Sequence, residues 1–189
     1  MTSEKLEKIK NFVFENMNDA YHDFAHLDRV RNNALRFADI LGLSEKIDLN
    51  LLQAICYLHD AAYFKHKNRI YTYIFERSLV KKELENILLK FDVDKEESEI
   101  IIKACSSHTH SFPFKRLNKN NDLYTRLLQD ADTVDLFHQE RLSITKKPFL
   151  EKYFSTLIDK VKYLGIKNIR KYLNFPELYE EAYKQYISS

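Results

Sequence analysis

Two glycines and three prolines among 189 residues leave this chain few places at which a helix must stop. In a helix interior glycine costs about 1 kcal/mol and proline about 3 kcal/mol relative to alanine, so a sequence that avoids both and uses Leu, Ile, Lys and Glu freely favours helices. The apolar residues recur accordingly. Leu6, Ile9, Val13 and Met17 repeat every three or four positions, as do Leu27, Val30, Ala34, Phe37, Ala38 and Leu41, a stripe that Gly42 is placed to end. From Leu49 to Ala62 almost every residue is apolar or aromatic, the pattern of a helix buried on most sides. Residues 71–91 and 95–106 give two more helical patterns, joined by the acidic stretch from Asp92 to Asp94. Leu123, Leu127, Leu128, Ala131 and Val134 mark another, and Phe149, Tyr153, Leu157, Val161 and Leu164 one more that pauses at Gly165. Pro176 fits the first turn of a last helix beginning near Glu177. Residues 109–121 read as a polar, basic loop.

The expected fold class is all-α: a compact helical bundle forming one domain over residues 1–189. Its motif region spans about 20–140, with C-terminal helices at about 147–187 packed on it. A chain of this length can bury roughly two-thirds of its unfolded surface.

Thirty Lys plus Arg against 28 Asp plus Glu leave a formal net charge of +2. That is too little for a global field attracting nucleic acid or an anionic membrane, so any anion must be held locally. Cys56 and Cys105 stand alone in apolar stretches, as small buried side chains in a reducing compartment do. No apolar run approaches the ~18 residues of a membrane span, and the N-terminal stretch alternates charge with apolar residues instead of forming a signal sequence. The expected location is cytoplasmic, with no membrane partner.

Against this background His59-Asp60 is out of place, because it ends the apolar run Ala54-Ile55-Cys56-Tyr57-Leu58. An ionised carboxylate in such surroundings must be paired, neutralised or bound to a metal. A hydrogen-bonded core pair explains the dipeptide alone equally well. Two further segments change the balance: Tyr21-His22-Asp23-Phe24-Ala25-His26 lies one helix earlier, and Leu128-Gln129-Asp130-Ala131-Asp132 three helices later.

A histidine, then His-Asp, then an aspartate, each on a different helix, resembles the HD superfamily of metal-dependent phosphohydrolases over about residues 20–140. Within it, HDFAHLDRVRNNAL followed by LHD and QDAD looks most like the small bacterial HD pyrophosphohydrolases, which attack nucleoside triphosphates. The resemblance implies that His26, His59, Asp60 and Asp132 bind one divalent ion. Two imidazoles and two carboxylates suit Mn²⁺, the favoured ion, without distinguishing it from Fe, Ni, Co, Mg or Zn. Asp130 and Asp135 compete with Asp132 for the last position. Asp132 is preferred because it follows Ala131 at the edge of the buried stripe, as the family's aspartate follows alanine. Asp130 points about 200° away, and Asp135, one turn on, is placed to support a ligand.

Asp60 and His108 are the catalytic candidates, with His108 a phosphate contact, general acid or second-metal ligand. His22, Arg29, Lys65 and His110 are candidates for substrate binding; Arg29 has Asp23 as an alternative ion-pair partner. Lys67 and Arg69, with Lys115, Arg116 and Lys119 on the loop, are further cations, each of which reads equally well as solvated surface. Where many HD proteins carry Glu or Lys after His-Asp, this chain has Ala61-Ala62, so no proton donor is assigned. After Asp132 it continues into TVDLFHQERLSITKK rather than a Gly-rich segment, leaving Arg141 and Lys146 as guesses at phosphate contacts. The leading expectation is hydrolysis of a small phosphorylated metabolite, most simply a nucleotide, by metal-activated water. The alternatives are an HD-type nuclease or phosphodiesterase, a regulatory module that binds nucleotide or metal without turnover, and a helical protein whose His and Asp residues are there by chance.

Overall fold

The computed structural model describes residues 1–17, 23–64, 69–108, 117, 122–138 and 163–188, with backbone alone at 69–74, 76 and 185–188. The fold is all-α, and no strand occurs among the described residues. Helix α1 spans Ser3–Asn16, α2 Phe24–Ile40, α3 Leu49–Leu58, α4 Arg69–Lys90, α5 Lys95–Ser107, α6 Leu123–Asp135 and α7 Tyr179–Ser188. No helix among these residues is long and apolar enough to cross a membrane.

Short polar side chains begin the helices. Thr2, Asp23, Asp48 and Asp122 occupy the N-cap positions of α1, α2, α3 and α6, each accepting a hydrogen bond from a backbone N–H of the first turn. Such caps are worth about 1 kcal/mol each. Asp23 therefore caps the helix that bears His26, accepting from the His26 N–H at 2.7 Å. At the far end of α2, Gly42 adopts φ +62°, and the N–H groups of Gly42 and Leu43 return to the carbonyls of Asp39 and Ala38. This is the stop that the sequence implies.

Helix α4 ends in the same way, but with Asp92 at φ 50° where a glycine would normally stand, and with the Val93 N–H returning to the Leu88 carbonyl. A left-handed L-residue is strained, so Asp92→Gly is expected to raise stability by up to about 1 kcal/mol. The midpoint of urea denaturation checks this.

Helix α3 is the central element, packed against α1, α2, α5 and α6. Seven of its ten residues are buried, which accounts for its largely apolar sequence. One hydrophobic cluster runs from Leu6 and Ile9 on α1 through Phe37, Leu52, Ile101 and Leu128 to Ala182 on α7. Cys56 and Cys105 lie in it as free, fully buried thiols, whose ionisation burial makes harder still.

Two local expectations need correction. Gly165 does not interrupt its helix: 163–167 is helical across it, and the turn comes at Asn168, since one glycine weakens a helix without ending it. Pro176 opens a three-ten turn, Pro176–Leu178, and the α-helix proper starts at Tyr179. The helix expected from Phe149 to Leu164 falls mostly outside the described residues.

The C-terminal segment is fastened to α6 by one buried carboxylate. Asp130 accepts from the backbone N–H groups of Asn174 at 2.7 Å and Phe175 at 2.9 Å, and from the Asn174 amide at 2.8 Å. The sequence placed Asp130 away from the metal candidates, and it does pair elsewhere. Burial pushes its carboxyl up to about 7, against the opposing pull of these donors and of Arg126.

Candidate metal centre

Four helix ends meet at one point. His26 lies in the first turn of α2, His59 and Asp60 follow the last turn of α3, His108 follows α5, and Asp132 sits in the last turn of α6. Three of these ends are C-terminal, where unpaired carbonyls concentrate partial negative charge and favour a cation.

The separations are short. His26 Nε2 stands 3.3 Å from His59 Nε2, and Asp60 Oδ2 lies 3.3 Å from each of them. Asp132 Oδ1 is 3.6 Å from His26 Nε2 and 3.9 Å from His59 Nε2. For metal–ligand bonds of about 2.1 Å, neighbouring ligands of an octahedral ion stand about 3 Å apart, so these groups could share one ion after small adjustment. His26, His59 and Asp60 are buried, whereas the Asp132 side chain is 24% exposed and marks the side open to solvent.

The partners of the other ring nitrogens decide what this cluster requires. His59 Nδ1 is 2.7 Å from the Cys56 carbonyl, and His26 Nδ1 is 2.7 Å from Asp135 Oδ2. Both partners accept, so both Nδ1 atoms carry the hydrogen, and the neutral rings turn their Nε2 lone pairs towards each other. Two facing lone pairs and two carboxylates repel unless a cation lies among them. Without a metal a proton supplies that charge: burial opposes it, but Asp60 and Asp132 outweigh burial and push His59 up to about 9.

A divalent ion must displace this proton. Affinity for such an ion is therefore expected to weaken about tenfold for each pH unit below 9, as calorimetric titration between pH 6 and 9 would register. In the metal-free protein the same raised pKa gives a stability contribution that is complete below the ordinary histidine value of 6.5 and is lost as pH rises through about 9.

Asp135, buried on α6, holds His26 by one oxygen and receives the Arg29 Nε at 2.7 Å on the other. Such a carboxylate fixes the tautomer and orientation of the imidazole. Arg29 thus pairs with Asp135 on another helix. The sequence did not reveal this partner, because it lies 106 residues away.

His108 also reaches the cluster. Its ring lies edge-on to that of His59 with centroids 4.9 Å apart, and His59, Asp60 and His108 offer ligand atoms within 4.8 Å of one another. The Cys105 carbonyl takes its Nδ1–H at 2.6 Å, repeating the arrangement of His59 on Cys56. Burial and the neighbouring His59 push it down to about 4. Ala61 and Ala62 are fully buried in the three-ten turn after Asp60. His22, Lys65 and His110 lie outside the described residues, as do Lys67, Lys115, Arg116 and Lys119. The same holds for Arg141, Lys146 and the side chain of Arg69.

With this arrangement in view, comparison with known proteins identifies its class. The profile of the HD domain matches residues 23–136, more than half of the chain. The chain belongs to the HD domain family. This places it in a superfamily of metal-dependent phosphohydrolases that bind divalent ions, and the matched segment holds His26, His59, Asp60, His108 and Asp132. No curated protein and no solved structure matches the chain.

Proposed function

We propose that this HD domain hydrolyses a small phosphorylated metabolite, most simply a nucleotide, with His26, His59, Asp60 and Asp132 holding one divalent ion, Mn²⁺ by preference. The observation that carries the reading is the pair of Nε2 lone pairs held face to face at 3.3 Å beside Asp60. A bound divalent ion supplies a water of lowered pKa and neutralises charge on a phosphoryl oxygen.

The protein's own groups would do the rest. Asp135 holds the His26 ring, and the Cys56 carbonyl holds the His59 ring, so neither must reorganise when substrate arrives. His108, with Nδ1–H committed to the Cys105 carbonyl, has Nε2 left to accept a hydrogen bond or proton from the attacking water. That supports an accepting role for His108 over the general-acid role. Arg29, placed one turn from His26 and 18% exposed, stabilises the Asp135 carboxylate and adds positive charge near the site. Near-neutral net charge favours a small substrate over a polynucleotide. The likeness to pyrophosphohydrolases puts nucleoside triphosphates first among nucleotides.

A non-catalytic binding module is the second reading, favoured by the buried Ala61 and Ala62, which put no ionisable side chain after Asp60. A panel of nucleoside mono-, di- and triphosphates, a cyclic nucleotide and a single-stranded oligonucleotide, each assayed with and without Mn²⁺, separates these readings. Sustained Mn²⁺-dependent hydrolysis of free nucleotides supports the proposal. Cleavage of the oligonucleotide alone points to a nuclease, and binding without turnover to a module.

A further inference from the structure

We infer that Gln129 and Asn174 are positioning residues that hold His108 in the site, so that the C-terminal segment outside the HD match completes the centre. The inference rests on the catalytic reading above and extends it to groups that touch neither metal nor substrate.

A connected set of buried hydrogen bonds carries it. The Gln129 amide donates to the His108 carbonyl at 2.9 Å, and its oxygen accepts from the Asn174 amide at 2.8 Å. The Asn174 amide also donates to Asp130 Oδ1 at 2.8 Å, and its backbone N–H donates to the same oxygen at 2.7 Å. Gln129, Asp130, Asn174 and His108 are all at most 4% exposed. At such burial a wrongly turned amide sets oxygen against oxygen, so the donor–acceptor order is enforced. Asn174 presents N–H to Gln129, which must therefore present its own N–H to His108.

His108 is the C-cap of α5, one residue beyond the last helical turn. Its ring is fixed by the Cys105 carbonyl and its backbone by Gln129, two anchors from two helices. Releasing the second allows the cap to unwind and the ring to leave the His59 edge. Asn174 lies beyond residue 136, where the family match ends, so this part of the device comes from the chain's own C-terminal segment.

The test is Gln129→Met, which keeps volume and removes both bonds. The first readout is the His108 ring ¹³Cε1–¹H cross-peak of the folded protein, which is expected to move while that of His26 stays in place; the His59 cross-peak, whose ring edge His108 leaves, follows with a smaller shift. The second is Mn²⁺-dependent hydrolysis of p-nitrophenyl phosphate. Here kcat is expected to fall about tenfold or more with KM little changed, and the loss to vanish in a His108→Ala background. An unmoved His108 cross-peak, or an equal loss with and without His108, overturns the inference. If the wild type hydrolyses neither this ester nor any nucleotide of the panel, the catalytic reading fails by itself and the cross-peak alone decides on positioning. If Gln129→Met does not fold, Asn174→Ala removes the donor to the Gln129 oxygen and repeats the same readouts from the other end.

Discussion

Asp60→Asn is expected to abolish Mn²⁺ binding at micromolar concentrations and to reduce metal-dependent phosphate release by about a thousandfold, equivalent to roughly 4 kcal/mol of transition-state stabilisation. The substitution keeps the shape of the side chain and removes its charge. Asp60 Oδ2 is equally close to both facing Nε2 atoms, at 3.3 Å, whereas Asp132 Oδ1 stands at 3.6 and 3.9 Å from them. The circular dichroism of the variant should stay helical, since Asp60 follows the last turn of α3 and lies outside that helix. Metal analysis and phosphate assay on one preparation check both halves. Retained metal with lost activity would assign Asp60 to chemistry alone.

The second large effect lies outside the metal cluster. Asp130→Ala leaves two backbone N–H groups and one hydrogen of the Asn174 amide, now paired with Asp130, without that acceptor in a buried place. The expected loss is about 3–5 kcal/mol, a fall in Tm on the order of 10 °C for a chain of this size. The ordinary carboxyl value is 3.8 and the folded value about 7, so the folded state holds this proton more tightly. Stability from Asp130 is then complete below about pH 4 and declines as pH rises through 7. The gap in Tm between wild type and Asp130→Ala should accordingly be wider at pH 5 than at pH 8. Scanning calorimetry at the two pH values measures it.

What the sequence disclosed follows from the range of the interactions involved. Helices were legible because apolar spacing and caps are local: Asp23 and Gly42 each do their work within four residues of where they stand. His59-Asp60 was legible because charge at the end of an apolar run has few explanations. Arg29 was not, because its position on α2 is equally compatible with Asp23 nearby in sequence and with Asp135 on another helix. The carbonyls of Cys56 and Cys105, which orient the imidazoles of His59 and His108, are backbone groups and leave no trace in residue identity. Gln129 and Asn174 were equally hidden, since a buried amide declares itself only through partners brought together by the fold. The sequence could offer Asp130 only as a residue facing away from the cluster, and residue 174 was needed to show what it faces.

In the proposed centre the facing nitrogens of His26 and His59, with Asp60 and Asp132, would be completed by a divalent cation. The most direct test is calorimetric titration of metal-stripped protein with Mn²⁺ at pH 7, in two buffers of different ionisation enthalpy. Uptake of one ion per chain, release of about one proton on binding, and loss of that uptake in His59→Ala is the predicted result. Absence of uptake, or uptake that His59→Ala leaves unchanged, would contradict it.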